Sequence, residues 1–312
     1  MTDNTALGPG PEFDLVREIV SRYGAAGAGI GDDASVLQIP AGEQLVVSTD
    51  VAVEDVHFRA NWLTPDEIGY RSTMAALSDL AAMAATPRGI LIALTLPPQW
   101  RANAPAIADG IARAARACNA NVVGGDLSDG HSLSIAVTVL GSTARPLRRS
   151  GAKPGDSVWV TGRLGGAGLA LNLFLAGGQP LGETRSKLAA PQARIREAQW
   201  LASRGATACI DISDGFVADV AHLAAASGVR ITIDINRIVC APGATPEGAA
   251  SSGEEYELIV TAAAAFDADL FAREFGQPLT NIGTVAAGPA GVDLTNAGQP
   301  ATAPAGFNHF AK

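Results

Sequence analysis

Apolar residues recur at helical spacing in "PEFDLVREIVSRY", where Phe13, Val16, Ile19, Val20 and Tyr23 share one face, and this predicts a helix over 11–23. A glycine-rich loop, "GAAGAGIG" (24–31), follows. Two β-rich runs, "SVLQI" and "QLVVST", are separated by "PAGE" and read as a hairpin. "TPDEIGYRSTMAALSDLAAMAA" (64–85) opens with a capping signature: Thr64 as N-cap, Pro65 at N1 and Glu67 at N3. It predicts an alanine-rich helix ending before Thr86-Pro87. A strand over 89–96, a helix near 105–118, the run "NVVGGD" (121–126) and a strand over 133–142 complete the first half.

The composition then changes to "RPLRRSGAKPGD" (145–156), which marks a domain boundary and divides the chain into 1–147 and 148–312. Beyond it the pattern predicts a strand at 157–162, a glycine-rich turn into a helix (164–176) and a helix at 192–203. "CIDISDGFVADVAHLAAASG" (209–228) reads as strand, turn, helix. Further strands are expected at 230–235, 253–262 and 279–285. Strands and helices alternate in both halves, so the fold class is α/β (α+β) with two domains. No fixed-period repeat is visible.

Composition narrows the function. Of 312 residues, 47% are hydrophobic and 17% charged, which describes a globular chain. The net charge of −9 and the lack of a Lys/Arg block argue against a nucleic-acid partner. The longest apolar run, "GILIALTLPP", is too short to span a membrane. Cys118, Cys209 and Cys240 form no C-x-x-C pair, and the N-terminus has no basic and apolar leader. A cytoplasmic location is expected.

No P-loop is present: "RLGGAGLA" (163–170) lacks the lysine that meets phosphates and reads as a turn into a helix. Metalloprotease, hydrolase-elbow and kinase signatures are absent too. What stands out is a set of single aspartates in short polar or glycine settings. Asp32-Asp33 follow "GIG", Ser48-Thr49-Asp50 ends an apolar run, and Asp79 interrupts "ALSDLAAMAA". Asp126 follows two glycines, and Asp211 and Asp214 bracket "DISDGF". Taken singly, Asp214 and Asp126 read as turn residues, Asp50 as a helix cap and Asp79 as a solvated position. Together they suit Mg²⁺, which takes one or two carboxylates per ion and completes its shell with water and substrate phosphates. The residues thus point to a Mg²⁺–polyphosphate site assembled from acids.

The order "GIGDDA…VVSTD…VHF…ALSDLAAMAATP…VVGGD…RRSGAKPGD…VTG…CIDISDG…GEEYEL" resembles the thiamine-monophosphate kinase family. That family belongs to the ATP-binding superfamily of aminoimidazole ribonucleotide synthetase. The resemblance implies an N-terminal mixed sheet with helices on one face that dimerises, and a C-terminal α+β domain that closes over the nucleotide. It implies transfer of the γ-phosphate of ATP to thiamine monophosphate, with several Mg²⁺ ions. Metal ligands are then expected at Asp33, Ser48, Thr49, Asp50, Asp79, Asp126, Asp211 and Asp214. Of these, Asp50, Asp79, Asp126 and Asp211 are expected to carry the catalysis.

Nucleotide contacts fall on Gly125, Asp126, Arg149 and Ser213, and substrate contacts on His57 and Glu254. Three departures are visible: "SSGEEYEL" stands where the family often has "SGGEDYEL", the helix near 105–118 contains no aromatic, and the tail offers Phe307 or Phe310 where some relatives use tryptophan. Two alternatives stay open. One is a superfamily enzyme that activates a carbonyl or amide oxygen, against which stands the lack of cysteine after Cys240. The other is a nucleotide-binding module without turnover.

Overall fold

A computed structural model describes residues 10–302. The expectations for Phe307 and Phe310 lie outside the described residues. The chain divides into two compact units: one runs to Leu80 and resumes over Ala85–Arg145, and the other takes Ala81–Ala84 and the chain from Pro146.

The first unit comprises α1 (Pro11–Tyr23), β1 (Gln44–Val53), α2 (Pro65–Ala82), β2 (Thr86–Thr95), α3 (Ala104–Ala117), β3 (Val122–Ser128) and β4 (Ser134–Thr143). Its sheet has the order β1-β4-β2-β3. β4 pairs antiparallel with both β1 and β2, while β2 and β3 run parallel, as a crossover through α3 requires. The sheet is therefore mixed. Along β1 the even positions 46, 48, 50 and 52 are half-buried, whereas Leu45, Val47, Thr49 and Val51 are exposed. The helices cover the even face: Leu80 of α2 packs on Gly141 of β4, in the row of Val46. The core is apolar, with Leu77, Leu80, Ile107, Ile111, Ile90 and Ile135 fully buried.

α2 starts as the sequence predicts. The backbone N–H of Thr64 donates to Glu67 at 2.8 Å and the Glu67 N–H to the Thr64 hydroxyl at 3.3 Å, closing the capping box. The expected hairpin does not form. "SVLQI" carries no regular structure and Val36 is 87% exposed, while β1 takes β4 as its partner over all ten residues. A β-rich run becomes a strand only where an edge is offered to it, and β4 had already supplied the one that β1 uses.

The second unit comprises β5 (Ser157–Thr161), α4 (Gly166–Leu175), α5 (Gly182–Ala189), α6 (Ile195–Ser203), β6 (Ala206–Asp211), α7 (Phe216–Ser227), β7 (Arg230–Asp234), α8 (Pro246–Ser251), β8 (Leu258–Ala262), α9 (Ala268–Phe275), β9 (Leu279–Ala286), β10 (Gly291–Asn296) and β11 (Gln299–Ala301). The sheet order is β11-β10-β7-β9-β5-β8-β6. Its core joins Val158, Val160, Ile210, Phe216, Ile233 and Ile259. The strand expected over 253–262 is shortened to Leu258–Ala262. Glu254 (φ 56°) and Tyr256 (φ 52°) are left-handed, which no strand accommodates.

Candidate active site

The acids of β1 and α2 come together. Asp50 lies on the covered face of β1 with Ser48, and the Ser48 hydroxyl donates to Asp79 of α2 at 2.5 Å. Burial raises Asp50 to about 6, and the charge of Asp79 adds to the rise. Thr49 points the other way and shares a 3.0 Å hydrogen bond with Thr138, so only its backbone belongs to the covered side. Two carboxylates repelling one another beside a hydroxyl, with oxygen as the only donor type, fit a hard divalent cation such as Mg²⁺.

β1 ends in a tight turn. Asp55 is left-handed and its N–H donates to the Phe58 carbonyl at 2.7 Å. The Val53 N–H donates to His57 Nδ1 at 3.1 Å, so the neutral imidazole carries its proton on Nε2. Glu54, which looks as ligand-like as its neighbours, is held by the Trp100 indole at 3.0 Å and by the Leu133 N–H at 3.3 Å. Its work is structural.

On the far edge of the sheet, a Cβ at Gly125 would lie 1.9 Å from the Ile92 carbonyl oxygen of β2. The glycine is thus already required by strand packing. The register aligns Asp126 with Ala93, Ala136 and Val51, which puts its side chain on the face of Thr49 and not that of Asp50. The Ser128 hydroxyl donates to Asp126 at 3.1 Å. Asp33 is exposed in the bend before the "SVLQI" segment.

In the second unit Asp211 ends β6 with 3% exposure, and the "SDG" turn leads into α7. The Ser213 carbonyl accepts from the Glu254 N–H at 2.8 Å, which couples the "GEEYEL" loop to that turn. Gly253 permits the contact, since a Cβ there would stand 2.6 Å from the Ser213 carbonyl oxygen. Arg149 is exposed, and its carbonyl accepts from Ser227 at 2.6 Å.

Three residues that sequence reasoning missed anchor this region. Asp219 is buried and accepts from the N–H groups of Ser213, Asp214 and Gly215. Burial pushes it up to about 7, against the pull of those bonds, and Asp214 adds to the rise. Glu255 accepts from Gly165 and Ala167 at the start of α4, and burial raises it. Glu257 is desolvated completely, yet Arg194 and Lys187 outweigh that and hold it below its ordinary value. In a one-dimensional reading all three look like ordinary polar positions next to better motifs. Among the described residues, Asp214, Asp219 and His222 also bring three ligand-type atoms within 4.8 Å of one another.

Residues 31–143 match the N-terminal domain of AIR synthase related proteins, and residues 153–294 match their C-terminal domain. A thiamine-monophosphate kinase of Rhodopirellula baltica is 36% identical over 280 residues, covering 82% of this chain and 83% of the relative. The chain belongs to the thiamine-monophosphate kinase family. Among solved structures, thiamine-monophosphate kinase from Stenotrophomonas maltophilia K279a superposes with a TM-score of 0.81 at 34% identity, over 93% of this chain and 98% of that one. AaThiL complexed with AMPPCP and TMP gives a TM-score of 0.76 at 29% identity, over 96% of each.

Proposed function

We propose that the protein transfers the γ-phosphate of ATP to the phosphate of thiamine monophosphate, giving thiamine diphosphate and ADP. The observation that carries this reading is the Asp50–Asp79 pair, whose mutual charge a divalent cation would relieve. It occurs in a chain similar along 96% of its length to AaThiL, which was complexed with AMPPCP and TMP.

In this reading the Mg²⁺ ions are held by Asp33, Ser48, the Thr49 carbonyl, Asp50 and Asp79, by Asp126 on the opposite face of the sheet from Asp50, and by Asp211 and Asp214. Bound Mg²⁺ supplies charge neutralisation between phosphate tails, where two unit charges about 4 Å apart repel by about 4 kcal/mol at an effective dielectric of about 20. The remaining work is positioning. Arg149, Gly125 and the Ser213 hydroxyl meet the nucleotide. His57, donating through Nε2, and Glu254 meet thiamine monophosphate. The attacking atom is a phosphate oxygen already anionic near neutral pH, so no side chain has to remove a proton.

A homodimer and a cytoplasmic location complete the proposal. Leu45, Val47 and Val51 form an exposed apolar row on the edge strand β1, a surface that favours a partner. Cys118, Cys209 and Cys240 are all free thiols, which supports a reducing compartment.

Incubating the full chain with ATP, Mg²⁺ and thiamine monophosphate tests the activity. Thiamine diphosphate and ADP in equal amounts are expected. ATP binding without either product would favour a module that lacks turnover.

A further inference from the structure

The start of α7 is an anion site that the chain fills with its own carboxylate. The N–H groups of Ser213, Asp214 and Gly215 converge on Oδ2 of Asp219 at 3.0, 3.2 and 3.2 Å. Three consecutive N–H groups at a helix N-terminus ordinarily receive a phosphate or another anion. Here Asp219, 2% exposed and one turn into the helix, takes all three. The other side of the turn is closed as well, because the Ser213 carbonyl accepts from Glu254 at 2.8 Å. The Ser213 backbone therefore has both its donor and an acceptor bond committed within the chain. What the turn can offer a ligand is side chains: the Ser213 hydroxyl and the Asp214 carboxylate.

We infer that Asp219 is a positioning residue that converts a phosphate-type turn into a cation-facing one by occupying its N–H groups and fixing Asp214. The inference rests on the reading of Asp214 as a metal ligand. Asp219 touches neither substrate nor metal in this scheme; it acts through the backbone of residues 213–215. Its removal would free three N–H donors and release the Asp214 backbone at once.

The test is Mn²⁺ binding to the full chain without nucleotide, followed by electron paramagnetic resonance of the free ion. Asp219→Ala is expected to raise the Mn²⁺ midpoint about tenfold, the usual scale for losing a group that orients a metal ligand. Asp219→Asn keeps an oxygen that can accept from the same N–H groups and is expected to stay within about twofold of the parent. Asp219→Glu keeps the charge but displaces it by a methylene, and serves if the alanine variant does not fold. It too is expected to raise the midpoint about tenfold.

A parental midpoint in the Ala or Glu variant overturns the inference, as does an Asn variant as impaired as Ala. Asp214→Asn, titrated in parallel, separates the two levels. A midpoint moved by Asp214→Asn but not by the Asp219 variants overturns the inference alone. A midpoint unmoved by Asp214→Asn overturns the assignment of Asp214 and the inference with it.

Discussion

The Ser48 hydroxyl of β1 donates to the Asp79 carboxylate of α2 at 2.5 Å. This bond ties a mid-helix aspartate to the neighbouring strand. It also directs the Ser48 proton toward Asp79, leaving the hydroxyl lone pairs for a cation. Ser48→Ala is therefore expected to raise the Mg²⁺ concentration for half-maximal rate about 10- to 100-fold, with turnover recovered at excess metal. Asp79→Asn is expected to lower kcat by about 10²–10³ at any metal concentration. Steady-state rates across a Mg²⁺ titration check both, and a parental curve for Asp79→Asn would refute its role.

The Asp50–Asp79 pair predicts a pH dependence of stability. Asp50 titrates near 6 in the folded chain and near 3.8 unfolded, so between those values the folded state binds more protons. The contribution of this group to stability is thus greatest at low pH. It is lost as pH rises from about 4 to about 6 and is level above. Mg²⁺ should raise the melting temperature of the metal-free protein more at pH 8 than at pH 5, and Asp50→Asn should abolish the difference. Calorimetry at the two pH values reads it out; equal shifts in the parent would count against the pair as a metal site.

His57 is oriented by the Val53 N–H on Nδ1. Asparagine can keep that bond while removing the Nε2 donor. His57→Asn should raise KM for thiamine monophosphate about tenfold, the loss of roughly one hydrogen bond to a charged group, and change kcat less. A collapsed kcat at parental KM would show that His57 acts on the transition state instead.

Gly125 is fixed by the Ile92 carbonyl before any nucleotide arrives. Gly125→Ala should cost about 1–3 kcal/mol of stability from overpacking. Urea denaturation measures it, and a stable variant with weakened ATP binding would mean that the strand yields and the phosphate contact dominates.

Glu257 predicts a larger loss. Fully buried, it pairs with Arg194 at 2.8 Å and Lys187 at 3.2 Å and accepts from Thr161 at 2.8 Å. Glu257→Ala strips Arg194 and Lys187 of their shared carboxylate, leaving Arg194 its 3.5 Å contact with Glu197, and should destabilise by about 3–5 kcal/mol. A midpoint near the parent's in denaturant would mean that water takes over both partners.

Most of this architecture could be read from the chain because its signals are local. The capping box of Thr64 and Glu67 forms as expected, and Asp79 stood out because no basic residue lies one helical turn away. Failures came where the deciding partner is distant in sequence. "SVLQI" has strand propensity but no edge, and the "GEEYEL" segment bends because Glu255 and Glu257 are drawn to α4 and α6. Asp219 escaped notice since an acid one turn into a helix carries no mark of three N–H groups bending back to it. The register that sets Asp126 on the opposite face from Asp50 depends on counting across four strands, which only the sheet supplies.

β1 alternates Ser48 and Asp50 on one side with Val47 and Val51 on the other. A slip by a single residue would bury the valines against α2 and expel the carboxylate into water. The strand thus carries its own proofreading: a ladder slipped by an odd number of residues is penalised twice, and the chemistry on one side guards the surface on the other.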